Sequence, residues 1–311
     1  MARSCRRYPN IAGWHLLDGV RAEDVNRRFD KLAGFTLIST AAVIWGSNGV
    51  VVNLIRADAF VIAFYRTLFA TLALIPVAIL AGRSRFLEAA REWRLLILNG
   101  LMNALGWGSL FYSMKLTPIA VSVLLNYLAP IFVAVLAPIL LEERIRVSTV
   151  ASLALSTIGV AVIFSDQMSG VGVNVLGVVY GLLSGLFYAI FIILSKKMRG
   201  GYPGYVIASY TYLSTLIFLS ILVYAASQTI YVEWGDLPLL LLIGFANTAF
   251  AVTIYFHGLG LIEAQRAIIL TYLEPLSAAV FGAIFLGQTP TIRLIAGGVM
   301  IVSSGYIVAR Y

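Results

Sequence analysis

Two ionisable side chains lie deep within long apolar stretches of the sequence, where charge is costly. Glu274 lies within the apolar stretch 264–286, and Arg66 lies within 60–81. A carboxyl group there must be neutral, paired or facing water, whereas an arginine stays charged and needs an acceptor. Such groups suit the binding of a charged solute or the movement of a proton. The sequence leaves open a pair between them, a structural carboxylic acid at Glu274, and an Arg66 that reaches the nearer interface.

Polar and aromatic side chains occur at a similar depth in other apolar stretches. Indole, phenol and amide groups together suit an amphipathic solute with an apolar body and a polar head. Any one of them alone is more often a hydrogen bond between helices than a ligand contact. The candidate substrate-binding residues are Trp45, Asn48, Asn103, Trp107, Tyr127, Asn247 and Tyr272, with Asn126 and Thr271 in the same group.

Membrane-spanning helices must position these residues, because the composition excludes a soluble domain and a disordered chain. Of the 311 residues, 60% are hydrophobic and only 12% are charged. Continuous apolar stretches of spanning length indicate helices, since barrel strands alternate apolar and polar residues. We predict an all-α polytopic membrane protein with ten spans, at 33–54, 60–81, 95–115, 118–141, 147–165, 173–195, 204–226, 237–258, 264–286 and 291–309.

The two halves of the chain resemble each other. Residues 100–103 (Gly-Leu-Met-Asn) correspond to 244–247 (Gly-Phe-Ala-Asn), and 127–130 (Tyr-Leu-Ala-Pro) correspond to 272–275 (Tyr-Leu-Glu-Pro). Each half has five spans, an odd number, so the second half must enter the membrane upside down. The predicted domains are an N-terminal tail, a first five-helix repeat and a second, inverted five-helix repeat, at 1–32, 33–165 and 173–309.

Two prolines occupy matching positions in the repeats. Pro130 and Pro275 each lie near the middle of a predicted span. A proline removes a backbone hydrogen bond and kinks a helix. We interpret them as candidate hinges, with a static kink as the alternative for either one alone.

The distribution of basic residues predicts the orientation. With the N-terminus inside, inner segments carry 17 Lys and Arg residues and outer loops carry three, which is the usual bias for a cytoplasmic side. We therefore expect both termini in the cytoplasm of a bacterial cell, with the chain in its inner membrane. The net charge of +8 then lies beside anionic lipid, and it is no evidence for nucleic-acid binding.

Several function classes lack their sequence signatures. No phosphate-binding loop is present, so an ATP-binding domain is not expected in this chain. One cysteine and two histidines leave little for a metal site, and no hydrolase motif occurs. We expect no enzyme activity, no cofactor and no metal. The expected partners are a small-molecule substrate and membrane lipids, with protons as a candidate coupling ion.

Five motifs resemble those of EamA-type ten-helix exporters in the drug/metabolite transporter superfamily. These motifs are Trp45-Gly46-Ser47-Asn48, Phe64-Tyr65-Arg66 with Ala70, Tyr127-Leu128-Ala129-Pro130, Glu142-Glu143, and Glu274-Pro275. The chain also resembles the YddG group, which exports aromatic amino acids and methyl viologen. It departs from many members in having Gly287-Gln288 where a second acidic pair is expected. We interpret Glu142 and Glu143 as ordinary interfacial charges.

The resemblance implies alternating-access export of amino acids or related metabolites from a cavity between the repeats. The matched positions carried over to that cavity are Trp45, Asn48, Arg66, Tyr127, Tyr272 and Glu274. Glu274 is the plausible deep proton carrier, with Arg66 as its charge partner. The alternatives are a membrane receptor or scaffold without transport, and an exporter of cationic drugs or sugar-linked metabolites.

Overall fold

The computed structural model describes residues 12–165, 174–225, 230–289 and 291–310, and only the backbone for 12–27. All regular structure in these ranges is helical. In chain order the α-helices are α1 (Ala12–Gly46), α2 (Asn48–Leu54), α3 (Ala59–Ala89), α4 (Trp93–Leu116), α5 (Ile119–Asn126), α6 (Ala129–Leu140), α7 (Val147–Phe164), α8 (Val175–Arg199), α9 (Gly204–Ala225), α10 (Leu237–Leu242), α11 (Ala251–Leu259), α12 (Ala264–Leu270), α13 (Leu273–Leu286) and α14 (Ile292–Arg310). A π-helix, Ile243–Phe250, joins α10 to α11, and short 3₁₀ turns lie at Ala90–Glu92 and Trp234–Asp236.

The predicted all-helical membrane fold is confirmed, because every predicted span coincides with a helix or with consecutive helices. Nine continuous helical segments in the described residues are long and apolar enough to cross a bilayer. One of them, Ala59–Leu116, is 58 residues long and contains two spans, since the helical path breaks at Gly82 and again at the 3₁₀ turn. The first helix begins at Ala12, inside the segment that we predicted as a tail.

Spans four and nine are interrupted at the same place in each repeat. The chain leaves the helix after Asn126 and resumes it at Ala129, and it leaves after Leu270 and resumes at Leu273. Pro130 and Pro275 lie in the first turn of the resumed helices, where a missing N–H leaves no hydrogen bond unmade. The predicted kinks therefore take the form of helix breaks just before each proline.

The connections between helices gather into two faces. The basic face comprises the connections at 82–94, 140–147, 196–204 and 256–266, where Lys196 Nζ donates to Leu259 O at 2.8 Å and Tyr210 Oη to Phe86 O at 2.9 Å. The opposite face comprises those at 55–58, 116–119 and 230–236. There Arg56 N donates to Asp236 Oδ2 at 3.1 Å.

Small residues let the helices approach closely, as expected where no hydrophobic force drives helices together in lipid. Gly177, Gly181 and Gly185 of α8 pack on the junction of spans three and four, against Thr117 and Leu125 among others. The glycine face of span six therefore packs within the chain. The largest buried apolar cluster fills the half of the bundle nearer the basic face.

Candidate functional site

A cavity of about 250 Å³ lies between the two halves of the bundle. Its size is near the lower end of ligand pockets, which start at roughly 300 Å³, and it suits a small molecule. Predicted site residues that line it are Trp45, Asn48, Arg66, Asn103, Trp107, Asn126, Tyr127, Thr271 and Glu274. Residues from both repeats therefore meet at one site.

The cavity is closed toward the basic face and partly open toward the opposite face. On its basic-face side, Phe256 and Tyr255 are fully buried, at 0% and 1% exposure. On its other side, Leu110, Phe111 and Val123 are partly exposed. Trp45 lies eleven residues along α1 from Gly34, which packs at the basic face, or about 17 Å at the helical rise. The cavity floor is thus near the middle of the bilayer.

Arg66 is held in place by a hydroxyl group and an aromatic ring. Its Nε donates to Thr248 Oγ1 at 3.1 Å, and that hydroxyl donates to Ile243 O at 2.9 Å. The guanidinium carbon lies 4.6 Å from the centroid of the Trp107 ring, which is a cation–π contact. Thr248 and Ile243 are five residues apart, and both lie in the π-helix, whose backbone bonds also span five residues. The π-helix therefore helps to position the hydroxyl group that orients Arg66.

Glu274 lies in the first turn of α13. A helix N-terminus favours a nearby negative charge, so the break in span nine places this carboxylate where the backbone supports it. Glu274 and Arg66 line the same cavity. They do not form an ion pair with each other in the described part of the chain.

Aromatic side chains form much of the remaining wall. Trp45 and Tyr255 have ring centroids 5.1 Å apart, and Tyr188 and Phe191 stack at 6.0 Å. The Tyr255 hydroxyl is buried without a hydrogen-bond partner among the described residues. Sequence reasoning missed Tyr188, Phe191, Tyr212 and Tyr255. The repeat gives only an approximate signal for Tyr212, since adding the repeat offset to Arg66 leads to positions 210 and 211, next to it.

The structure does not bring Asn247 or Tyr272 to the cavity wall. Tyr272 is fully buried, and its hydroxyl donates to Tyr127 O, the carbonyl of its counterpart in the first repeat. Asn247 lies in the π-helix, and its Nδ2 donates to Ser47 Oγ at 2.7 Å and Asn48 Oδ1 at 3.0 Å. Both residues form hydrogen bonds to residues that line the cavity, Asn48 and Tyr127, without lining it themselves.

We expect Asn247→Leu to destabilise the junction of α1 and α2 at Ser47, where the helix of span one is interrupted. Leucine is of similar size but removes the donor, leaving Asn48 Oδ1 and Ile44 O without this partner. A hydrogen bond of this kind contributes about 0.5–1.5 kcal/mol, so the Tm of the purified protein should fall by a few degrees. The matched control is Asn53→Leu, an exposed asparagine on α2. Equal Tm values for the two variants would contradict this role.

Charged side chains close the basic face, and one of them corrects a prediction. Glu143, which we interpreted as an ordinary interfacial charge, accepts hydrogen bonds from Ala264 N at 2.7 Å and Gln265 N at 3.3 Å. It therefore fastens the end of span four to the first turn of α12. Lys196 donates to Leu259 O and Ile262 O, and Arg199 Nε donates to Phe256 O at 2.7 Å. We call Glu143, Lys196 and Arg199 the basic-face seal.

Comparison with known proteins gives a family and several relatives. The model of the EamA-like transporter family matches residues 32–165 and 175–310, one segment in each half. An uncharacterized transporter of Archaeoglobus fulgidus is 29% identical over 277 residues, covering 89% of this chain and 96% of the relative. The S-adenosylmethionine uptake transporter of Rickettsia prowazekii is 21% identical over 253 residues, covering 79% of this chain and 81% of the relative. A solved crystal structure at 18% identity shares the fold, with a TM-score of 0.77 over 88% of this chain and 95% of that one.

Proposed function

Because the chain belongs to the EamA-like transporter family, whose members are transporters and not enzymes, we propose that it exports amino acids and related small metabolites across a bacterial inner membrane. The proposed substrates are aromatic or otherwise amphipathic. Transport is secondary-active and proceeds by alternating access between two inverted repeats, 33–165 and 173–309. The observation that carries the proposal is the cavity between the halves, which has aromatic walls and two opposite charges.

The lining of the cavity supports an amino acid over other small solutes. Aromatic rings accommodate an apolar side chain, while Arg66 and Glu274 supply one charge of each sign. The relative named an S-adenosylmethionine uptake transporter is named for a metabolite that itself carries an α-amino-carboxylate group. A purely cationic drug would place its charge in the same cavity as Arg66, which counts against that alternative. A receptor or scaffold would not need an open cavity at mid-depth.

Access would alternate by movements at the breaks in spans four and nine. The cavity is closed toward the basic face, where the basic-face seal joins the helix ends, and it is partly open on the other side. With the basic face in the cytoplasm, this is the state that releases an exported solute. Opening the seal and closing the opposite face would require spans four and nine to bend at Pro130 and Pro275. Glu274 is the proposed carrier of a coupled proton, since it is the acidic residue of the cavity wall.

Counterflow in proteoliposomes tests the proposal. Vesicles containing the purified protein are loaded with an unlabelled amino acid and diluted into the same radiolabelled amino acid. We expect transient, saturable accumulation of label for at least one aromatic or aliphatic amino acid, because a carrier exchanges solute across two gates. Protein-free vesicles are the control. Absence of exchange with all twenty amino acids would reject the proposed substrate class.

A further inference from the structure

Two residues of opposite charge line the cavity without a direct ion pair between them. Arg66 and Glu274 both line it, yet no ion pair in the described residues includes either of them. A charge at membrane depth needs a polar partner. We propose that this partner is the zwitterionic head of a free α-amino acid, with its carboxylate bound by Arg66 and its ammonium group by Glu274. The inference rests on the proposed function and assigns the residues that set its specificity.

Arg66 presents the donors that a carboxylate requires. The guanidinium group has five N–H donors, and Nε is used on Thr248. The guanidinium carbon lies 4.6 Å from the centroid of the Trp107 ring, and this contact restricts the position of the group. The Nη donors are left without an acceptor among the described residues, and paired guanidinium donors match a carboxylate bidentately. The arginine is therefore oriented before any ligand arrives, which lowers the entropy cost of binding.

Glu274 presents the acceptor that an ammonium group requires. Its carboxylate has no hydrogen-bond donor among the side chains that the structure describes, and its backbone N–H is occupied by Thr271 O at 2.9 Å. The first turn of α13 fixes where this carboxylate lies. The hydroxyl of Tyr255 is a second unpartnered polar group at this cavity. The cavity wall thus has polar groups without hydrogen-bond partners among the described residues. A zwitterion carries the positive and the negative charge that these groups can bind.

Charge balance explains why the head group must carry both charges. An amine without a carboxylate would leave Arg66 unpaired and place a second positive charge beside it. An acid without an ammonium group would leave Glu274 unpaired and place a second negative charge beside it. Breaking one half of a buried charged contact leaves the other half uncompensated. We therefore expect strong discrimination against decarboxylated and deaminated analogues of any amino acid that binds.

The test uses matched sets of ligands that differ only in the head group. One set is L-phenylalanine, 2-phenylethylamine and 3-phenylpropionate; a second is L-leucine, isopentylamine and 4-methylpentanoate; a third is L-alanine, ethylamine and propionate. Affinity for the detergent-purified protein is measured by tryptophan fluorescence, because Trp45 and Trp107 lie at the cavity. In at least one set the amino acid should bind about 10-fold or more tightly than either analogue, as expected for a lost charge-assisted hydrogen bond.

Two variants then assign each end of the head group. Arg66→Gln should weaken the amino acid and the acid about 10-fold or more and leave the amine unchanged or tighter. Glu274→Gln should weaken the amino acid and the amine by a similar factor and spare the acid. A misfolded protein would lose all three ligands, so this crossed pattern separates recognition from stability. Arg56→Gln and Glu233→Gln are the matched controls, because that exposed ion pair lies outside the cavity.

Each outcome has one consequence. The crossed pattern supports the assignment. Analogues that bind as tightly as the amino acid, variants that weaken both analogues equally, or no binding in any set would overturn it. Binding with the crossed pattern but without counterflow would instead reject transport and leave the recognition site in place. Counterflow of an amino acid without the crossed pattern would keep the proposed function and reject these residues as its selectivity determinants.

Discussion

Replacing Glu143 with alanine is expected to open the basic face of the protein. Its carboxylate accepts from the first two N–H groups of α12, Ala264 N and Gln265 N, and substitution of such a cap costs about 0.5–2 kcal/mol. That free energy is lost from the closed state only, so the open population should rise roughly 2- to 30-fold. The chain has one cysteine, Cys5, and a Cys5→Ser background allows site-specific labelling.

The readout is a cysteine placed in the closed half of the bundle. Val133 of α6 is fully buried in the cluster on the basic-face side. In the Val133→Cys protein, the rate of modification by a membrane-impermeant maleimide should rise with Glu143→Ala by the factor given above. Glu142→Ala is the matched control, since Glu142 is adjacent to Glu143 in the chain and is exposed. Equal labelling rates in the two variants would show that Glu143 does not hold this face closed.

Gly100→Val is expected to produce the largest loss of stability. Even a Cβ at this position of α4 would come within 2.8 Å of Thr215 N and 2.9 Å of Thr211 O. These are backbone atoms of α9, so no side-chain rotation can relieve the clash. The same interface carries hydrogen bonds from Asn99 to Thr211 Oγ1 at 2.9 Å and from Asn103 to Thr215 Oγ1 at 3.2 Å. Separating the helices weakens these bonds, so the overpacking cost of about 1–3 kcal/mol is a lower bound.

The Tm of the purified protein measures this effect. A loss of this size corresponds to a fall of about 3–10 °C in a domain of a few hundred residues. Gly49→Val is the matched control, because a Cβ at Gly49 of α2 would meet no atom within 4 Å. A comparable decrease in both variants would mean that the close approach of α4 and α9 is not what Gly100 provides.

The spans could be predicted because each depends on a long, continuous property of the sequence. Hydropathy alone located them all. The repeat motifs predicted kinks at Pro130 and Pro275, and the structure has helix breaks just before both prolines. The π-helix could not be predicted, since its residues, Ile243–Phe250, fit an α-helix equally well by composition. Its geometry depends on where Thr248 and Asn247 find partners in other spans.

The charged part of the candidate site could be predicted because charge in an apolar span is rare. Arg66 and Glu274 stand out from their neighbours, and both line the cavity. Phe191 and Tyr255 do not stand out, because an aromatic ring facing a cavity and one facing lipid have the same pattern in sequence. The specific role of Glu143 was missed for another reason. A carboxylate at the end of a span is usual, and only the packing of span four against α12 gives it a partner.

The two ends of the carrier are fastened unequally. Gln288 occupies the position in the second repeat that corresponds to Glu143, and its backbone N–H bonds to Gly282 O at 3.2 Å within its own repeat. A neutral amide there offers α5 less than the carboxylate offers α12. In the proposed alternating-access cycle, the empty protein should therefore favour the form whose cavity faces the opposite face, and solute on the basic-face side would bind only the less populated form. Transport measured from the two sides would then give two half-saturation concentrations, with the higher value on the basic-face side. Their ratio would report the free-energy difference between the two closing contacts.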